Sequence, residues 1–322
     1  MMVTTVTLNP ALDYHITLPG LAPGEIQWFS HSSFFPGGKG INVSLLLSSL
    51  GVETRALGIA AGFTGREIAR LLEERGCPAD MVFLEEGCSR VNVKLQTPGG
   101  EETAFNGPGP DIPPQAVAQL LGKLSTLGPE DVLVLSGSLP QGLPETAFPQ
   151  LLEAARRAGA KLVVDMAGDP LLASLPYHPF LIKPNLEELC QLFQAEGPLT
   201  PLEAKEYAKE LQRMGARNVV VSLGEKGALL LEESGRCLGC RSPRGQAVST
   251  VGAGDSLVAG FLYGCQLHGT LEGGLKWGVA AGAATAFQEG IATGSQVKAQ
   301  FPAAVRAFGK SREKGLWPVE CS

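Results

Sequence analysis

The sequence predicts an α/β fold: a doubly wound, mainly parallel sheet flanked by helices, with a small β-sheet lid. Short, wholly apolar segments alternate with helical segments through most of the chain, and strands of that kind lie buried on both faces of a parallel sheet. Two early regions, 12–35 and 88–106, instead alternate polar and apolar residues or are rich in aromatics and turns. We therefore predict a single domain over residues 1–322, in which those two regions form a lid over the ligand edge of the sheet.

The first part of the chain has the pattern of a strand, two helices and a hairpin. Val3–Leu8 alternates like a strand, and a leucine-rich helix later ends at Gly51. Thr64 and Glu67 have the spacing of a capping box at the start of a second helix. The alternation within 88–106, interrupted by Pro-Gly-Gly, predicts a hairpin.

From Pro113 onward the pattern becomes helix followed by short buried strand. We predict strands at Val132–Leu135, Leu162–Val164, Phe180–Ile182, Asn218–Val221, Gly227–Leu231 and Gln246–Val251. Ligands of doubly wound sheets bind beyond the carboxyl ends of the strands, so the residues that follow each strand are the candidates for a site.

Composition excludes several classes of protein. With 322 residues, of which 44% are hydrophobic and 18% charged, the chain can bury a large core. The net charge of −6, without a basic stripe, argues against a nucleic-acid partner. No basic leader precedes an apolar segment, and no apolar run approaches the ~20 residues of a membrane span. We expect a cytoplasmic protein with no membrane partner.

The cysteine pattern indicates reduced thiols. Seven cysteines are scattered along the chain, and their number is odd. Cys237 and Cys240 form the only C-x-x-C. Because no second pair accompanies them, chance spacing in a surface strand is favoured over a zinc site.

The most informative motif is Val251–Ser256. Gly252 and Gly254 let backbone N–H groups converge on an anion, and the apolar run that follows predicts a helix whose positive end faces it. Asp255, beside those donors, suits removal of a proton from a hydroxyl that attacks a phosphate. The alternative is a common glycine turn with an aspartate cap.

Two other nucleotide-binding motifs are absent. Leu257 stands where the dinucleotide fingerprint needs its third glycine, which argues against a Rossmann oxidoreductase. Gly309–Ser311 has the ending of a P-loop, but Ala304 stands where the first glycine is required. If the chain binds ATP, it does so without a Walker loop.

Two segments could bind a phosphorylated ligand. The glycine-rich turn 38–42 offers backbone donors, an ammonium and an amide, although a turn with a solvated lysine has the same pattern. Arg90, Asn92 and Lys94 alternate and so share one face of a strand. That face is either solvent-exposed or closes over a phosphate, with Arg90 as a bidentate donor.

Two further segments have a structural and a functional interpretation. Asn185–Glu188 has the spacing of a helix cap and could equally serve a metal. Ser222–Gly227 follows a strand and would bring a nucleotide close to the backbone, or form a hairpin turn.

Together these segments resemble the PfkB (ribokinase-like) carbohydrate kinases, and in particular their phosphosugar branch. The resemblance covers nearly the whole chain and rests on six segments in order: Thr7–Asp13, Gly37–Val43, Arg90–Lys94, Gly137–Pro140, Lys183–Asn185 and Gly252–Asp255.

The resemblance implies a phosphosugar kinase that uses ATP and Mg²⁺. It implies Asp255 as the base and Gly252, Ala253 and Gly254 as the anion hole. The implied ligands of the sugar phosphate are Asp13, Gly38, Lys39, Asn42, Arg90, Asn92 and Ser138. The implied nucleotide ligands are Lys183, Asn185, Ser222, Gly224 and Gly227, with Glu188 as the metal ligand.

Within the branch, the 90–94 segment and Phe105-Asn106 are most similar to kinases that phosphorylate fructose 1-phosphate. Tagatose-6-phosphate kinases and PfkB-type 6-phosphofructokinases are the alternatives, and a noncatalytic sugar-phosphate sensor is the alternative from another class. Ala104 stands where the family commonly has an acidic residue, and Met166-Ala167 interrupts a stretch that is usually rich in Ser and Thr. An exposed lid sheet predicts pairing into a homodimer.

Overall fold

The structure is a computed structural model that describes residues 1–97 and 102–313. Its strands are β1 Val3–Thr7, β2 Ala11–Thr17, β3 His31–Gly37, β4 Thr54–Ala61, β5 Ala79–Leu84, β6 Arg90–Gln96, β7 Glu102–Asn106, β8 Val132–Ser136, β9 Lys161–Asp165, β10 Leu181–Ile182, β11 Asn218–Ser222, β12 Ala228–Leu231 and β13 Cys237–Cys240. Its α-helices are α1 Lys39–Leu50, α2 Gly62–Glu74, α3 Pro114–Leu124, α4 Ala147–Ala158, α5 Asp169–Ser174, α6 Leu186–Phe193, α7 Pro201–Arg213, α8 Ala253–His268, α9 Leu271–Ala286 and α10 Gly294–Glu313.

The larger sheet confirms the predicted fold class. Its nine strands run in the order β13-β12-β11-β10-β9-β8-β1-β4-β5. All neighbouring strands from β11 to β5 are parallel, whereas β12 and β13 add an antiparallel edge. The carboxyl ends of the parallel strands therefore meet at one edge, where a ligand site is expected.

Helices cover both faces of this sheet, as the apolar strands predicted. Residues of α3, α4, α6 and α7 pack on one face, and residues of α1, α8, α9 and α10 pack on the other. Along β8, Leu133 and Leu135 enter the first core, while Val132 and Val134 enter the second. The period of two in a strand thus divides one apolar run between two hydrophobic cores.

The smaller sheet, which we call the lid sheet, has the strand order β3-β2-β6-β7. The strands β2 and β6 are parallel, and the two outer pairs are antiparallel. The predicted hairpin is β6 and β7; its Pro-Gly-Gly turn at 98–100 lies outside the described residues. The register places Asp13 beside Asn92, and Lys94 beside Ala104.

Two sequence predictions of local structure are wrong. Gln246–Val251 forms no strand; it crosses from the sheet edge to α8, and the Val248 N–H donates to the Ala286 carbonyl at the end of α9. The capping box is also absent. Helix α2 begins at Gly62, so Thr64 lies inside its first turn and not at the N-cap, and its hydroxyl donates to the Ser89 carbonyl at 2.8 Å.

The two cysteines of the C-x-x-C motif lie in β13, but not at a surface. Both are buried, and their side chains enter different cores: Cys237 packs with the first and Cys240 with the second. Side chains on opposite faces of a strand cannot bind one ion together.

No helix among residues 1–97 and 102–313 combines the length and the apolar character that crossing a bilayer requires.

Candidate active site

A cavity of about 920 Å³ lies between the lid sheet and the carboxyl edge of the larger sheet. Its volume is at the upper end of what small-molecule sites occupy. All of the predicted site residues line it except Ser138: Asp13, Gly38, Lys39, Asn42, Arg90, Asn92, Lys183, Asn185, Glu188, Ser222, Gly224, Gly227, Gly252, Ala253, Gly254 and Asp255. Ser138 instead borders a separate cavity of about 10 Å³ beside Leu8 and Leu139.

Asp255 lies in the first turn of α8 and is only 6% exposed. Its Oδ2 accepts a hydrogen bond from Asn42 Nδ2 at 2.7 Å, which fixes the carboxylate from the first helix of the fold. Burial, and then the charge of Asp165, raises the pKa of Asp255 to about 6. A carboxylate with that pKa is ionised at neutral pH and still basic enough to accept a proton.

The start of α8 can bind an anion. Gly252 caps the helix with φ +77°, a conformation that favours glycine, and a Cβ there would lie 2.3 Å from Ile291 Cδ1. A Cβ at Gly254 would lie 3.2 Å from the ammonium of Lys183, so the backbone itself faces that cation. The N–H groups of a first helical turn lack partners within the helix. Here the Ala253 N–H donates to the Thr250 carbonyl at 3.2 Å, while Gly252 and Gly254 line the cavity.

A buried carboxylate, Asp165, gathers two of the predicted lysines. This last residue of β9 is fully buried, and its Oδ1 lies 3.1 Å from Lys183 Nζ and 3.4 Å from Lys39 Nζ. Burial raises the pKa of Asp165, but the two ammonium groups outweigh it and hold the pKa below its ordinary value. The charge of Asp165 in turn raises the pKa of Lys39.

The sequence interpretation missed Asp165 as a site residue. The signal was present, because this carboxylate ends an apolar strand at the ligand edge. Its two partners are distant in sequence, so no local motif links them.

The Asn185–Glu188 segment forms the capping box that the sequence allowed. Asn185 Oδ1 accepts from the Glu188 N–H at 2.8 Å, and Glu188 Oε2 accepts from the Asn185 N–H at 2.9 Å. Glu188 Oε1 is not used by the cap and lies 3.9 Å from Lys39 Nζ. One oxygen of Glu188 therefore caps the helix, and the other borders the cavity.

In the part of the chain that is described, no three carboxylate, histidine or cysteine side chains form a cluster that could enclose a metal ion. Mg²⁺ commonly binds through one or two carboxylates together with substrate phosphates and water, rather than in a cage of protein ligands. Glu188 Oε1, a carboxylate oxygen at the cavity that the cap does not use, fits that kind of site.

The lid wall of the cavity is polar and positively charged. Asp13 Oδ1 accepts from Asn92 Nδ2 at 2.8 Å, and its Oδ2 is paired with Lys94 Nζ at 2.9 Å. Arg90 Nε donates to the Asn9 carbonyl at 3.1 Å, which orients the guanidinium. The terminal nitrogens of Arg90 have no protein acceptor among the described residues and remain available to a ligand.

The opposite end of the cavity is rich in glycine and has one apolar wall. Gly227 has φ +104°, and a Cβ there would lie 2.0 Å from the Cys240 carbonyl oxygen. Small residues of α9 and the ring of Phe287 line this end, and Gly245 packs directly against that ring. Sequence patterns did not identify the α9 wall, because its small residues have the spacing of ordinary helix packing.

Comparison with known proteins shows which family this chain is similar to. The model of the pfkB family carbohydrate kinases matches residues 7–298. A 1-phosphofructokinase of Bacillus subtilis is 40% identical over 302 residues, covering 94% of this chain and 98% of the relative. A D-tagatose-1-phosphate kinase of Bacillus licheniformis is 35% identical over 290 residues, covering 90% and 94%. The solved structure of Escherichia coli phosphofructokinase-2 in complex with substrates and products has a TM-score of 0.89 at 31% identity, covering 95% and 100%.

Proposed function

Because the chain belongs to the pfkB family of carbohydrate kinases, we propose that it transfers the γ-phosphoryl group of ATP to the 6-hydroxyl of fructose 1-phosphate. The products are fructose 1,6-bisphosphate and ADP. The observation that carries the proposal is one cavity that joins a buried carboxylate at a helix N-terminus to a cationic wall on the lid sheet.

Asp255 acts as the general base. It accepts the proton of the 6-hydroxyl as that oxygen attacks the γ-phosphorus in line with the departing ADP oxygen. The N–H groups of Gly252 and Gly254, at the start of α8, stabilise the negative charge that develops on the transferred group. Lys183 and Lys39, held by Asp165, add positive charge beside them.

ATP would lie along Asn185, Ser222, Gly224 and Gly227, with its base at the apolar end of the cavity. Mg²⁺ would be held by Glu188 and by the phosphates of ATP, where it supplies charge neutralisation.

The lid wall would hold the sugar phosphate. Asp13 and Asn42 would accept and donate hydrogen bonds with hydroxyls, with Gly38 and Lys39 beside them, while Arg90 and Asn92 would hold the existing phosphate. A phosphate held there leaves the hydroxyl at the other end of the sugar near Asp255. The names of two relatives refer to ketohexose 1-phosphates, which carry their free primary hydroxyl at carbon 6.

Substrate preference is the first test. We expect kcat/KM for fructose 1-phosphate to exceed that for tagatose 1-phosphate, tagatose 6-phosphate and fructose 6-phosphate by at least about tenfold, or roughly 1.4 kcal/mol in transition-state binding. A coupled assay of ADP release measures all four. A preference for another of them would change the substrate, whereas a preference for free fructose would contradict the phosphate-anchored arrangement. No turnover with any sugar would favour a noncatalytic sensor.

Arg90→Ala tests the phosphate contact. Because the terminal guanidinium nitrogens are free for a ligand, we expect KM for the sugar phosphate to rise at least about tenfold and KM for ATP to change little. Arg241→Ala, which removes an arginine that does not line the cavity, serves as the control. Equal rises in both KM values would indicate a folding defect instead.

The outer face of the lid sheet suggests a homodimer. Phe34, Tyr14, Val93 and Phe105 lie side by side in register across its four strands, and Trp28 nearby is 86% exposed. Exposed apolar surface of this kind is typical of an interface. We expect light scattering to give the mass of a dimer, and the double variant Phe34→Glu, Phe105→Glu to give a monomer. A monomeric unaltered protein would refute this assembly.

A further inference from the structure

We propose that Lys94 is a positioning residue for sugar binding, which acts by holding and neutralising Asp13. The proposal rests on the proposed function, since it concerns the sugar end of the same cavity. It assigns a role in binding to a lysine that borders the cavity but makes no contact with the residues that would carry out the transfer of the phosphoryl group.

The carboxylate of Asp13 is fixed from two sides. Asn92 donates to Oδ1 at 2.8 Å and Lys94 donates to Oδ2 at 2.9 Å, both from the neighbouring strand β6. Gly37 provides the space, because a Cβ there would lie 2.6 Å from Asp13 Cγ. Each carboxylate oxygen keeps a further lone pair that can accept from a sugar hydroxyl.

The ion pair between Lys94 and Asp13 is largely buried. The side chains of Lys94 and Asp13 are only 9% and 13% exposed, so each charge depends on the other for compensation. Ala104, the cross-strand neighbour of Lys94 on β7, offers no side-chain acceptor, so the residue directly opposite Lys94 does not compete with Asp13 for the ammonium.

The ion pair between Lys94 and Asp13 affects the binding of a phosphosugar because of charge. A sugar phosphate carries up to two negative charges near neutral pH, and an uncompensated carboxylate beside it would repel it. Lys94 neutralises Asp13, so Arg90 remains as net positive charge on this wall. The carboxylate can then recognise hydroxyls without weakening the binding of the phosphate.

A double-mutant cycle tests the coupling. Calorimetry with fructose 1-phosphate and, separately, with ATP gives Kd for the unaltered protein, Asp13→Asn, Lys94→Met and the double variant. We expect each single change to raise Kd for fructose 1-phosphate at least about tenfold and Kd for ATP less than about threefold. Kd of the double variant for fructose 1-phosphate should exceed that of the weaker-binding single variant by no more than about threefold. Losses that multiply, or a Lys94→Met protein that binds normally, would overturn the proposal. Lys209→Met, at an exposed ion pair, is the control for loss of a lysine.

A second pair of variants decides the matter if Lys94→Met does not fold. Lys94→Arg keeps a cation beside Asp13 and should change Kd for fructose 1-phosphate less than about threefold. Lys94→Gln keeps a polar side chain without the charge and should raise this Kd at least about tenfold. If the two variants bind alike, Lys94 does not act through its charge. Because binding is measured, an inactive protein that still shows the coupling would refute the proposed kinase function alone, and an active kinase without it would refute this inference alone.

Discussion

Replacing Asp255 with asparagine should lower kcat by about 10²–10⁴-fold, the usual contribution of a general base, while Kd for ATP and for the sugar phosphate stays nearly unchanged. Asparagine keeps the shape of the side chain, and its amide oxygen can still accept the hydrogen bond from Asn42. Only the capacity to take a proton is lost. Steady-state kinetics and calorimetry on the same preparations measure the two effects, and a variant with near-normal kcat would refute the role of Asp255.

The pH dependence of the unaltered protein provides an independent check of the same residue. Because the pKa of Asp255 is raised to about 6, the base becomes protonated as the pH falls through that value, and kcat/KM should fall with it. The residual activity of Asp255→Asn should lack this acid limb. Asp169→Asn, an exposed aspartate in the first turn of another helix, should retain both the limb and the rate.

The largest effect on stability is expected from Asp165→Asn. The change leaves the buried ammonium of Lys183 without the carboxylate that compensates its charge, and it removes one of two carboxylates near the partly exposed Lys39. Breaking a buried ion pair by removing one partner costs about 3–5 kcal/mol of unfolding free energy. Urea denaturation followed by circular dichroism measures this loss, and a change below about 1 kcal/mol would contradict the account of the buried network.

Asp80→Asn is the matched control, because Asp80 also has two cationic partners, Arg55 and Lys123, but its side chain is 40% exposed. Solvent screens such a pair, and we expect a loss of less than about 1 kcal/mol. If Asp165→Asn retains activity, its acid limb should move to lower pH, because the negative charge that helps to raise the pKa of Asp255 is gone.

The sequence predicted the features that local patterns encode. Apolar runs identified β8 to β12 of the larger sheet, and alternation identified β1 and the lid strands β6 and β7, because burial on one or two faces determines the order of polar and apolar residues. The strands β4 and β5 were not predicted. The glycines of the 252–255 motif and the position of Asp255 followed from the chemistry of helix N-termini.

Features that depend on tertiary contacts were not predictable in this way. The Asp165 network joins a strand end, a helix start and a segment after another strand, and the Asp13–Lys94 pair requires the parallel register of β2 and β6. Thr64, predicted as a cap, lies inside the first turn of α2, and its hydroxyl donates to the carbonyl of Ser89, just before the lid strand β6. In each case residues far apart in sequence decide which partner a polar group takes.

The central claim is that this chain transfers a phosphoryl group from ATP to the free primary hydroxyl of a phosphosugar. The most direct measurement is ³¹P NMR of a reaction that contains the purified protein, ATP, Mg²⁺ and fructose 1-phosphate. We predict that fructose 1,6-bisphosphate and ADP appear in equal amounts, and that neither appears at a comparable rate with Asp255→Asn. Release of ADP and inorganic phosphate without a bisphosphate, or no reaction with any of the four sugar phosphates, would contradict the claim.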